Sequence, residues 1–63
     1  MFKPGIYALH YNGQLVRWDF SEINEVNRSS LVVDYWMVNS QKDLEMAKTD
    51  AKQLDSGFSK IFS

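Results

Sequence analysis

The dipeptide Asn12-Gly13 is the strongest local constraint in this chain, because it separates two runs rich in apolar and aromatic residues, 6–11 and 15–20. A type I′ turn needs φ > 0 at both central residues, and Asn-Gly meets that demand at little steric cost. Such a turn predicts a hairpin over 5–20 that pairs Leu9 with Val16 and Tyr7 with Trp18. Tyr7, Leu9, Tyr11, Val16, Trp18 and Phe20 then share one face. Sliding the turn to Gly13-Gln14 changes the partners but keeps the same six residues together.

Lys3-Pro4-Gly5 leads into the hairpin, with Pro4 marking where a strand can begin. Residues 21–30 read as a loop or as one or two helical turns capped by Ser21, with Ile23 and Val26 facing inward. Leu31 to Val38 is rich in β-branched and aromatic residues and is predicted as the third strand. Both its odd positions (Leu31, Val33, Tyr35, Met37) and its even ones (Val32, Asp34, Trp36, Val38) are apolar apart from one carboxylate. A strand of that kind is covered on both faces or lies beside an interface.

Ser40 is a good N-cap for the helix that follows, and Asp43 three residues on makes a weaker form of the capping box. Leu44, Ala47, Ala51, Leu54, Phe58 and Ile61 recur at a spacing of three and four and form one helix face. The helix spans 41–56 if Gly57 is its C′ residue in a Schellman cap, which the sequence slightly favours. It reaches 62 if it runs through Gly57, losing about 1 kcal/mol there relative to Ala. The fold class is therefore α+β: a single small two-layer domain over 1–63, a three-stranded antiparallel sheet (hairpin plus third strand) packed against a C-terminal amphipathic helix. The six-residue hairpin face and the odd face of the third strand are expected to meet the helix stripe.

Sixty-three residues form one domain at most, and the chain, from Met-Phe to just past Ile61-Phe62, reads as a complete small open reading frame. It contains no cysteine, which excludes disulfides, thiolate metal sites and a Cys nucleophile. No apolar run approaches membrane-spanning length and no leader pattern precedes one, so a soluble cytoplasmic protein with no membrane partner is expected. A hydrophobic share of 44% is too high for a disordered chain. Ordering each residue costs roughly 1.5 kcal/mol, so a chain this short must bury nearly all its apolar side chains, and association with itself or a partner would help.

Charge points to no partner class. Seven basic residues against eight acidic ones give a net charge of −1, with no basic stripe of the kind that binds nucleic acid. Single-stranded nucleic acid stacked on Tyr7, Tyr11, Trp18 or Trp36 remains an alternative, weakened because Arg17 is the hairpin's only cation. Asp19, Glu22 and Glu25 are too few for a DNA-mimicking surface.

Catalytic chemistry has little to stand on. His10 is the single histidine, without carboxylates at metal-ligand spacing. No serine lies in a nucleophile elbow, and Gly5, Gly13 and Gly57 form neither a phosphate loop nor a dinucleotide fingerprint. No enzyme activity, metal or cofactor is expected.

What remains is the sheet face opposite the helix, which would carry Ile6, Ala8, His10, Leu15, Arg17, Asp19, Val32, Asp34, Trp36 and Val38. A Trp and an Arg within an aliphatic patch resemble an interface hot spot, and Trp36, Arg17, Asp34, His10, Leu15 and Val38 are the candidate partner-binding residues. Alternatively, residues 21–30 or Phe58-Ile61-Phe62 cover that face. Asp34 must reach water or pair with Arg17 or His10, because unpaired burial of a carboxylate costs several kcal/mol. The expected function is a small non-catalytic protein-binding module, an inhibitor or regulator of a larger protein such as phage and mobile elements encode. The partner is that larger protein, a second copy of the chain, or both. A self-assembling subunit zipped along the helix stripe is the structural alternative.

Overall fold

Gly13 alone takes the left-handed conformation, at φ 85°, while Asn12 keeps a negative φ. A type I′ turn is thereby ruled out. The Gly13 N–H donates to the His10 carbonyl and the His10 N–H to the Gln14 carbonyl, both at 2.9 Å, so the loop is the three residues Tyr11, Asn12 and Gly13. This is the type I turn closed by a left-handed glycine, the common three-residue hairpin loop. Asn12 contributes through its side chain instead of its backbone, its Oδ1 accepting the Gln14 N–H at 2.9 Å.

The computed structural model describes the backbone of residues 2–62 and the side chains of residues 2–54. Its elements are β1 (Gly5–His10), β2 (Leu15–Trp18), a 3-10 turn (Phe20–Glu22), α1 (Ile23–Arg28), β3 (Val32–Val38) and α2 (Gln41–Phe62). The three strands form one antiparallel sheet in the order β2-β1-β3, with α2 packed on it. The small α+β domain is the one the sequence predicts.

The register differs from the predicted one by a single residue. Ile6 pairs with Trp18, Tyr7 with Arg17, Ala8 with Val16 and Leu9 with Leu15. Because side chains alternate, that one step moves every β2 residue to the other face. Leu15 and Arg17, not Val16 and Trp18, share a face with Tyr7 and Leu9. In β3, Tyr7 pairs with Trp36, Leu9 with Asp34 and Gly5 with Val38, so the even positions, not the odd ones, lie on that same face. A bulge shifts the register beyond Leu9, where His10 pairs with Val32.

Each face of the sheet carries a helix. On the odd face of β1, α2 seats Leu44 and Ala47 on the fully buried Val38, with Phe2, Tyr7 and Trp36 packed around them. On the even face, Val26 of α1 closes over Ile6 and Ala8, flanked by Trp18, Ile23, Val32 and Tyr35. Two of the six residues of the predicted hairpin face are at the surface: Tyr11 is 63% exposed at the loop and Phe20 39%. Leu31 and Met37, assigned to the core with the odd face of the third strand, are also exposed.

The 3-10 turn is capped by Asp19, not Ser21: the Glu22 N–H donates to the Asp19 carbonyl at 2.9 Å and the Glu22 carboxylate accepts the Asp19 N–H at 3.3 Å. For α2, the Ser40 hydroxyl accepts the Asp43 N–H at 3.2 Å, while the Asp43 carboxylate reaches back to the Asn39 N–H at 3.2 Å. Leu44, Ala47 and Ala51 of the predicted stripe are buried, and Leu54 sits at the margin. The helix backbone continues through Gly57 to Phe62 in place of a cap. The side chains of Phe58 and Ile61 lie outside the described residues. No described helix is long and apolar enough to cross a membrane.

Candidate functional site

The six candidate binding residues divide between the two faces. Leu15, Arg17, Asp34, Trp36 and Val38 lie on the face that α2 covers, and His10 lies on the α1 face. None of them lies on an open sheet face. Val38 is fully buried, so it can touch a partner only if the core opens. Leu15 is partly buried beside Gly13, Lys48, Ala51 and Lys52, on the β2 side of α2.

Arg17 is occupied locally. Its Nε donates to the Pro4 carbonyl at 2.9 Å, and its guanidinium meets the Asp19 carboxylate at 2.9 Å. This corrects the expected pairing with Asp34: Arg17 is on β2 and Asp34 on β3, and the whole of β1 stands between them. Gly5 makes the first contact possible, because a Cβ there would stand 2.6 Å from the Trp18 carbonyl oxygen and 2.8 Å from the Arg17 Nε.

His10 is not a partner for Asp34 either. Its ring stacks on Trp18 with centroids 6.3 Å apart and planes 21° from parallel. His10 Nε2 and Trp18 Nε1 are both buried without a hydrogen-bond partner. Asp34 is exposed, and its Oδ1 accepts the neighbouring Tyr35 N–H at 2.8 Å. A carboxylate in an apolar strand thus meets water and a backbone amide, which removes the desolvation problem.

Asp34 and Trp36 do come together. With Asp50, Gln53 and Leu54 of α2 they line a shallow hollow of about 310 Å³ along the outer side of β3. Met46, 59% exposed, lies one turn before Asp50 on the same side of α2, and Met37, 50% exposed, stands on the α1 side of β3. The strand edge between them is open. His10 N–H bonds to the β2 side (Gln14) and Tyr11 N–H to the β3 side (Leu31, 3.0 Å), so the odd residues of β1 pair with β3. In an antiparallel ladder, Asp34, Trp36 and Val38 then turn their backbone groups inward, and Tyr35 and Met37 turn theirs outward.

The other edge is different. There β2 is only four residues long, and Arg17, Asp19, Lys48 and Lys52 surround it. One edge of the sheet is short and flanked by Arg17, Lys48 and Lys52, and the other is seven residues long, with Trp36 and exposed methionines beside the acidic Asp34 and Asp50. Met37, Met46 and Leu54 are the binding candidates that the sequence reading passed over. Met46 carried a usable signal, since within 41–54 it is the one apolar residue outside the 44-47-51-54 stripe.

No catalytic constellation is assembled among the described residues, and no three His, Asp or Glu side chains stand close enough to hold a metal. The chain matches no protein-family model, no curated protein and no solved structure.

Proposed function

We propose that this chain is a non-catalytic protein-binding module that docks through the outer edge of β3. The observation that carries the reading is the asymmetry between the two sheet edges. Trp36, Met37, Met46 and Leu54 collect with the acidic Asp34 and Asp50 around the long edge with its outward Tyr35 and Met37 backbone groups, whereas the short edge lies among Arg17, Lys48 and Lys52. Aromatic and Met side chains beside an unpaired strand are what strand addition uses, with main-chain bonds giving affinity and side-chain hollows giving specificity. The pairing of Arg17 with Asp19 supports a protein partner over single-stranded nucleic acid, because the hairpin's cation is neutralised.

The test is affinity capture from the native cell or its host with three baits: the wild-type chain, Trp36→Ala and Lys52→Ala. The reading expects a protein held by the wild-type and Lys52→Ala chains and lost with Trp36→Ala, whose circular dichroism stays native. Equal capture by all three, or loss with Lys52→Ala alone, would count against the β3 edge.

A further inference from the structure

Resting on the protein-binding reading, we infer that the occupant of the β3 edge is a second copy of this chain, paired β3 to β3 across a two-fold axis at Tyr35. The outward backbone groups limit the choices. Two antiparallel edges can join only where outward residues face outward residues, and here those are Tyr35 and Met37. Placing Tyr35 opposite its own copy sets Asp34 opposite Trp36 of the second chain on both sides of the axis, with regular pairing ending at the bulge at Val33. A two-fold centred on Met37 would put Asp34 opposite Ser40, past the end of the strand, and leave the match of Asp34 to Trp36 unmade. A register with Asp34 opposite Asp34 would set like charges face to face, which is destabilising.

The polar groups also fit. Asp34 Oδ1 holds the Tyr35 N–H at 2.8 Å, and an incoming strand replaces that bond with the Tyr35 carbonyl of the other copy. The released carboxylate then lies opposite the Trp36 indole of the second chain, whose N–H donates to no described residue in the single copy. Symmetry makes the exchange twice, as an isologous interface requires. Strand pairing across this axis keeps both α2 helices on one side of a six-stranded sheet. As α2 packs chiefly on β3, it brings Met46 and Leu54 of each copy toward the other's helix.

The chain has no cysteine, so single introduced thiols report the register directly. Directly opposed residues in a hydrogen-bonded antiparallel pair have Cα atoms about 5.5 Å apart, inside the roughly 4.4–6.8 Å that a disulfide spans. Two residues off the axis, a residue and its copy are four positions, or about 14 Å, apart along the strand, at roughly 3.4 Å per residue. Tyr35→Cys is expected to give a covalent dimer under mild air oxidation, and Met37→Cys is not. Sedimentation of the wild-type chain, which needs no variant to fold, is expected to show a monomer–dimer equilibrium that Trp36→Phe weakens at least tenfold. Cross-linking of Met37→Cys, of both variants equally or of neither, or a wild-type chain that stays monomeric, overturns the inference. A monomer that still captures another protein through Trp36 overturns the second copy alone and leaves the protein-binding reading standing.

Discussion

Val26→Ala tests whether the short helix α1 is a structural cover or a loose flap. Val26 is 1% exposed and is the only fully buried residue of α1, closing over Ile6 and Ala8. A six-residue helix has no independent stability, so α1 persists through this contact. Removing two buried carbons loses about 1.6 kcal/mol of transfer free energy at roughly 0.8 kcal/mol each. The cavity left behind raises the cost toward about 2–3 kcal/mol, and the better helix propensity of Ala returns about 0.5 kcal/mol. With an m-value near 1 kcal/mol/M, as suits so small a domain, the urea midpoint should fall by about 2 M. Trp18 lies in the same cluster, so its fluorescence reports the transition directly. Glu25→Ala, on the exposed side of α1, should stay within about 0.5 kcal/mol of wild type. A Val26→Ala midpoint within 0.5 M of wild type at unchanged m, a bound of roughly 0.5 kcal/mol, would refute the reasoning.

Two further perturbations follow from the same geometry. Gly5→Ala puts a Cβ 2.6 Å from the Trp18 carbonyl oxygen, a backbone atom that cannot step aside, and should cost about 1–3 kcal/mol in thermal or urea unfolding. An unchanged midpoint would mean that β1 and β2 sit farther apart. His10→Phe keeps a ring against Trp18 and removes a buried, unpartnered Nε2, so it should leave stability unchanged or raise it by about 1 kcal/mol. A loss of more than that would show that the imidazole nitrogen has a partner worth keeping.

The fold was legible where periodicity acts over many residues. The α2 stripe through Leu44, Ala47 and Ala51 and the β-rich run into Val38 each point to one element and one role. The hairpin register was not legible, because three of the four β2 residues are apolar and either parity buries a reasonable pair. Asn-Gly decided for one turn, whereas Gly13 alone taking a positive φ, with Asn12 bonding through its side chain, gives another. That one-residue difference moved Leu15 and Arg17 under α2 and Trp18 under α1. The double-sided apolarity of β3 was readable as a demand for two covers, and α1 and α2 supply them. Which residues of β3 stay outside after both covers are in place depends on how far a six-residue helix reaches, so the exposure of Met37 was not legible, whereas Met46 was readable as an apolar residue off the α2 stripe.

Amide hydrogen exchange along both edge strands tests the central claim, that a second copy docks on the β3 edge, most directly. Measured by NMR on the wild-type chain, first dilute and then concentrated, the Met37 amide should exchange fast when dilute, the Tyr35 amide less so because Asp34 Oδ1 holds it, and both should slow as the edge is occupied. The amides of Leu15–Trp18 should not change. Exchange at Tyr35 and Met37 that is independent of concentration, or protection that grows on β2 instead, would contradict the account.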